Sequence, residues 1–406
     1  MAMRYSPFAS TLLLFVAWSV PASAQTGEQP SLRSVVLDLT NNIAAAQAGE
    51  AIGLSTAIEV ANAPTGSSAG GFVFKLDPAT GLRVRTAPTF GPSFAERALT
   101  AGEGKVSFGM SLGVATYDNL NKIPLKRMVL TQATGAGVSN RLDGISSLVL
   151  SSQTMVVSAA IGATDKFDVA VTMPFVKVKL DGVSWAELPT GQVIEFLHES
   201  ISSSGLGDIA VSGKYRLAKF GEEQPDPGGV ALMLTTKLPT GNRENFRGLG
   251  ITRVLGSVLV SAGKGKLRPH GNVGFEWWEK GLEVDTDFTG EHRVAARHQA
   301  QFAAGLEFEA GPKMTFLADI LGRKILGGGQ VRIQSVPVPP ELTDSGITSL
   351  TMAVATAKGI QKLTLAPGFK WNLKGSFVFA GNALIPLFDN GLHDKFTPVV
   401  GIDWTF

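Results

Sequence analysis

From residue 104 to the C-terminus, apolar and polar positions alternate with a period of two. Over 205–218, Asp208, Ala210, Ser212, Lys214 and Arg216 interleave with Ile209, Val211, Gly213, Tyr215 and Leu217. Over 266–278, Arg268, His270, Asn272 and Glu276 interleave with Leu267, Val273, Phe275 and Trp277. Successive side chains of a strand point to opposite faces, so this period marks strands with two unlike faces. Twelve segments carry it: 105–117, 147–161, 166–180, 205–218, 229–239, 252–263, 266–279, 294–309, 313–325, 358–371, 375–387 and 394–406.

Alternation alone does not say which face is wet, because a soluble sandwich alternates too. The connections separate the two cases. Even-numbered segments are followed by short turns at 162–165, 264–265, 310–312 and 372–374, with 219–228 the longest. Odd-numbered segments are followed by long polar loops at 118–146, 181–204, 240–251, 280–293 and 326–357, with only 388–393 brief. Short turns at one end and long loops at the other are the asymmetry of transmembrane barrels. The prediction is an all-β chain, a transmembrane antiparallel up-and-down barrel of twelve strands over 104–406. An even count brings both ends to the periplasmic side.

One segment breaks its own parity. Phe167, Val169, Val171 and Met173 share one face, and after Pro174 the apolar set moves to Val176, Val178 and Leu180. A bulge at Pro174 is predicted, turning Lys177 and Lys179 inward. Aromatics collect at segment ends. Phe167, Tyr215, Phe308, Trp371 and Trp404 lie toward the short-turn rim and Trp277 toward the other, the placement of an interfacial girdle. Val400, Ile402, Trp404 and Phe406 occupy every second position of the last segment. That pattern predicts recognition by the outer-membrane assembly machinery through Phe406.

The N-terminal quarter reads differently. Arg4, the apolar run 11–20 and Ala22-Ser23-Ala24 predict a signal peptide over 1–24, too short an apolar run to span a bilayer. Over 31–46, Leu32, Val35, Val36, Leu39, Ile43 and Ala46 fall at helical spacing behind Ser31 as a cap. A hairpin is predicted from 72–76 and 82–86. Its strands are too short to cross a membrane at about 9–11 residues each, although joining the sheet would raise the count to fourteen. Residues 25–103 are therefore expected as a periplasmic segment or a lumen plug, with Phe94, Glu96 and Arg97 as its contact residues.

Composition narrows the chemistry. The chain has no cysteine, which excludes disulfides and thiolate metal sites, and its formal charge of +2 offers no field for nucleic acid. The five histidines show no metal-ligand spacing, and there is no G-x-S-x-G elbow. No metal, cofactor or catalytic residue is expected. The predicted interior instead carries charges and amides of both signs: Asp208, Lys214, Arg216, Arg268, Glu276, Arg297, Gln299, Gln301, Glu307 and Glu309, joined by Lys177 and Lys179.

Several stretches together resemble a known family. They are Gly70-Gly71-Phe72 to Gly81, Phe90-Gly91-Pro92-Ser93-Phe94-Ala95-Glu96-Arg97-Ala98, and Gly162-Ala163-Thr164-Asp165 to Met173-Pro174-Phe175. Gly205-Leu206-Gly207-Asp208 to Lys214-Tyr215-Arg216, Lys237-Leu238-Pro239-Thr240-Gly241, His270-Gly271-Asn272 and the closing 400–406 follow in order. Over roughly 65–406 the chain resembles the outer-membrane barrel family labelled for the meta-pathway of phenol degradation. The resemblance implies passage of small aromatic or hydrophobic molecules and brings no catalytic residues.

The expected function is an outer-membrane channel or transporter for passive passage of small molecules, its outside facing lipid. Two alternatives stay open. One is a non-conducting structural or assembly barrel. The other is a lipid-edge hydrolase, for which His298 on the apolar face is the candidate.

Overall fold

The alternating segments close into one barrel in the computed structural model, which describes residues 30–67, 74–76, 83–85, 87–135, 141–221, 227–285, 293–338, 340–344, 346–388 and 390–405. Its twelve strands are Val106–Leu120, Leu142–Thr164, Phe167–Glu187, Ala210–Lys219, Gly228–Lys237 and Arg253–Ala262, then Leu267–Trp278, Arg293–Gly311, Met314–Val336, Ile347–Lys374, Phe377–Pro386 and Thr397–Thr405. Each pairs antiparallel with the next, and the last pairs with the first from Thr405↔Ser107 to Val399↔Gly113. No barrel edge is left between last and first, which is what a bilayer demands of backbone polar groups. Residues 1–24 of the expected signal peptide and Phe406 lie outside the described residues, as does Phe72 of the expected hairpin. Phe74–Leu76 and Arg83–Arg85 of that hairpin pair as a separate two-stranded sheet and do not join the barrel.

The outward face is a belt of exposed apolar side chains, among them Phe108, Leu112, Val211, Leu232, Val273 and Leu306. At the short-turn rim, Phe377 stacks on Trp404 with ring centroids 5.2 Å apart, and Phe108 lies 6.5 Å from the same indole. An exposed apolar band bounded by aromatics is the surface of a barrel solvated by lipid.

Three of the long loops expected at the other end, 118–146, 181–204 and 326–357, are largely strand. Leu142–Thr164 and Phe167–Glu187 run 23 and 21 residues, and Met314–Val336 and Ile347–Lys374 run 23 and 28. Crossing the bilayer needs about 9–11 residues, so these hairpins continue as sheet well past it. Their polar outward residues ended the predicted segments, but hydrogen bonding does not stop where the apolar belt does. The fourth, fifth and sixth strands have only 10 residues each, so the wall is low on that side.

The bulge predicted at Pro174 is absent. Pairing of the second and third strands runs unbroken from Asp143↔Glu187 through Val156↔Pro174 to Gly162↔Asp168. Asp168, Ala170, Val176, Val178 and Leu180 are all buried on the same inward parity. Lys177 and Lys179 therefore point outward, the first half-buried and the second exposed, and are corrected from the lumen set. What changes at Pro174 is the medium inside, from polar to apolar, while strand direction stays the same.

A true irregularity falls at His298, whose φ is +45° and where register shifts between Arg297 and Gln299. It turns Ala296 inward and leaves Arg297 exposed. Arg297 is thus corrected from the inward face that Gln299 and Gln301 occupy.

The apolar medium above Pro174 is a pair of helices, α1 (Leu32–Asn41) and α2 (Ala46–Ala61). The Ser31 hydroxyl caps α1 by accepting the Ser34 N–H at 3.0 Å. Leu32, Val36, Leu39, Ile52 and Ile58 pack against Leu148, Val178, Leu180, Phe246 and Trp278 in one buried cluster. Close approach of helix to wall rests on glycine: a Cβ on Gly182 would sit 2.3 Å from Leu39. Residues 238–252 fold over the low wall to meet α1, where Glu244 accepts the Arg33 N–H at 2.9 Å and Asn245 the Leu32 N–H at 3.2 Å.

Candidate functional site: the chamber and strap inside the barrel

Between α2 and the first strand the chain crosses the lumen as an irregular strap, 87–101. It is held chiefly through its backbone. Thr315 accepts the Phe90 N–H, and Asp319 accepts those of Phe94 and Ala95 at 3.1 and 3.3 Å. Asn272 accepts the Glu96 N–H at 2.9 Å and donates to the Glu96 carbonyl at 2.6 Å. Ser261 accepts from Ala98, and Asp168 accepts from Ala101 at 3.0 Å. The Lys370 ammonium donates to the carbonyls of Phe90 and Pro92. Five strands of the wall thus supply the polar groups that a buried, non-helical backbone requires.

Two of the strap's side chains add charge. Glu96 lies 3.7 Å from Lys214, which also faces Asp168 at 3.5 Å. Arg97 is buried and acts electrostatically on Glu307. Of the lumen charges expected from strand parity, Lys214 and Glu307 are thus the ones that meet Glu96 and Arg97. Arg216 caps a short turn by donating to the Gly228 carbonyl at 2.9 Å, and Glu309 sits half-buried near the same rim.

A second group of charges grips the end of α2. Arg323 donates to the Asn62 carbonyl at 2.8 Å and pairs with Glu59, while Lys362 reaches Glu59 at 2.8 Å. Burial opposes the charge on Glu59, but Arg323 and Lys362 hold its carboxyl below the ordinary range. Arg253, wholly buried, bridges Asp208 at 3.0 Å and Glu276 at 3.4 Å and donates to the Asn62 side chain at 3.0 Å. Glu276 also receives Lys237 at 2.7 Å and the Trp278 indole N–H at 2.9 Å. Asp208 accepts the N–H groups of Gly241 and Leu249, tying down the loop over the low wall. Each buried charge here has a counter-charge, without which burial is prohibitive.

Beneath the strap, His270 lies between Asp319 at 2.8 Å and Glu307 at 3.5 Å. Arg268 is buried on the same strand. His298 faces outward beside Phe275 and Trp277, and its Nδ1 accepts the Trp278 N–H at 3.1 Å.

Between α2 and the strap remains a chamber of about 330 Å³. Gln299 and Gln301 stand on its wall with Asn272, and the Gln299 amide donates to the Gln301 carbonyl oxygen at 2.9 Å. Sequence reading missed Lys237, Arg253, Glu59 and Asn62. The first two were legible from strand parity, since Arg253 shares the inward parity of Leu255. The α2 residues carried no such signal.

No protein-family model and no curated protein matches this chain. Among solved structures it is similar to an outer membrane channel from Pseudomonas putida F1, at 11% identity over 76% of this chain and 98% of that one, with a TM-score of 0.44. The NanC porin gives 7% identity over 68% and 98%, with a TM-score of 0.37. A Pseudomonas aeruginosa FadL homologue gives 10% over 85% and 97%, with a TM-score of 0.33. At such values these likenesses carry no inference about function, and the barrel stands on its own register of hydrogen bonds.

Proposed function

We propose that this chain is an outer-membrane channel for passive passage of small molecules, closed in the present conformation by its own strap. One observation carries the reading: a lipid-type outer surface encloses a charged, amide-bearing chamber that a non-helical segment bars. A barrel needing only a filled interior has no use for a strap tied by separable hydrogen bonds under a polar chamber. The family resemblance adds the expectation that the solute is aromatic or hydrophobic, which the conductance test below leaves to uptake assays.

The natural absence of cysteine allows the strap to be locked at will. Ala98 and Ser261 touch, backbone N to Oγ, at 3.0 Å. In planar bilayers the double variant Ala98→Cys, Ser261→Cys should conduct less when oxidised than when reduced. Equal conductance in both states would remove the strap from gating.

The non-conducting alternative draws on a separate observation, that Leu32 and Leu39 of α1 and Ile52 and Ile58 of α2 are almost wholly buried inside the barrel. Absence of current from the folded, reduced variant and from wild type would favour it.

A further inference from the structure

The chamber has a chemistry of its own. Its acids include Glu59, Glu96 and Asp208, and its bases Lys237, Arg323 and Lys362. These six are engaged in the ion pairs described above, and Asp394 and Arg247 add one charge of each sign, so the lining has no net charge to set against a charged guest. An anion would face the acids and a cation the bases, each at the cost of desolvation.

What is left over is hydrogen-bonding capacity. Gln299 is 2% exposed, faces the chamber, and its amide oxygen accepts no hydrogen bond. Such an atom costs free energy unless a guest supplies a donor. Arg247 and Arg323, also lining the chamber, each carry a buried Nε without an acceptor. Several chamber-lining positions of the fourth to eighth strands are small, hydroxylated or amidic, among them Ser212, Thr235, Ser257, Asn272 and Gln301. Ser212 stands directly opposite Thr235, and Gly274 lies between Ser257 and Gln301. The guest must therefore donate to an amide oxygen, accept from guanidinium N–H groups and carry no net charge. Hydroxyl groups do both. At about 30 Å³ per water, 330 Å³ holds roughly eleven waters or a single six-membered polyol ring.

We infer that the chamber is a binding site for a neutral, polyhydroxylated molecule of monosaccharide size. This rests on the channel reading only for the route by which the guest arrives. The test uses the full-length protein in nanodiscs, titrated calorimetrically with glucose, gluconate, glucosamine and phenol.

Glucose should bind, and gluconate and glucosamine at least about tenfold more weakly, the penalty of a buried unpaired charge. Gln299→Leu and Thr235→Val should each weaken glucose about five- to tenfold, as expected for one lost neutral hydrogen bond. Heat-modifiable migration of each variant checks that the barrel is folded. A second variant, Gln299→Glu, keeps the acceptor but adds a charge, and should shift preference toward glucosamine. Phenol binding more tightly than glucose, equal binding of the charged sugars, or no binding of any probe would each overturn the assignment. Conductance of the same samples is read separately. Glucose binding without current would sink the channel and keep the site, and current without glucose binding would do the reverse.

Discussion

At the scale of single residues, parity decides what a substitution does. Val211 is exposed on the lipid face and Ser212, its neighbour, is buried in the lumen. Val211→Arg should cost about 2–4 kcal/mol near the bilayer midplane, measured by urea unfolding from vesicles, and Ser212→Ala far less. Gly305 shows where parity misleads, because a lumen-facing glycine looks tolerant. A Cβ there would lie 2.2 Å from Asp319 and 2.6 Å from His270. Even Gly305→Ala should disturb that pair and lower the folded yield. Asp319→Ala removes the acceptor for two strap N–H groups and for His270, at about 1–3 kcal/mol per donor left unmatched. It should raise conductance and expose 87–101 to protease; unchanged current would separate that carboxylate from closure.

At the scale of elements, the strands were legible and the filling was not. All twelve strands announced themselves by period two, because each has one face in lipid. Their outer limits did not, because past the bilayer both faces become mixed. Helix α1 was visible from a stripe beginning Leu32, Val35, Val36 and Leu39 behind Ser31. Helix α2 was invisible, since AQAGEAIGLSTAIEVA has no stripe. It is surrounded on all sides by wall, α1 and loop, so no side of it needs to be polar. The misreading of Lys177 and Lys179 has the same root: with helices inside, the inward face of the third strand is the apolar one. Leu39→Ala, at a fully buried site, should cost about 2–5 kcal/mol. Deleting α1 and α2 should destabilise the extended hairpins rather than yield a sound open pore, as proteolysis of the outer half would report.

At the scale of the whole molecule, two media meet inside one wall. The end bearing the short turns is a lipid-embedded cylinder barred by a strap, and the opposite end is built like a water-soluble domain around its own helices. Assembly must serve both. Phe406→Ala leaves the last strand's alternating pattern one aromatic short, and the heat-modifiable fraction in the outer membrane should fall. A normal yield would mean that the Phe377–Trp404 stack and the closing seam suffice without it.

The strap's mode of attachment has a consequence for how this protein tolerates change. Its main-chain N–H groups are the same whatever side chains follow them, so much of its hold carries no sequence information. In a saturation mutagenesis library, the buried strap positions Phe90, Ala95, Ala98 and Leu99 should tolerate little change in size, and Arg97 and the glycine at 91 should stand out with them. Intolerance should surface far away in the chain as well, at Asp168, Asn272, Thr315, Asp319 and Lys370, the wall residues that meet the strap. A strap held this way is written as much in its frame as in its own letters.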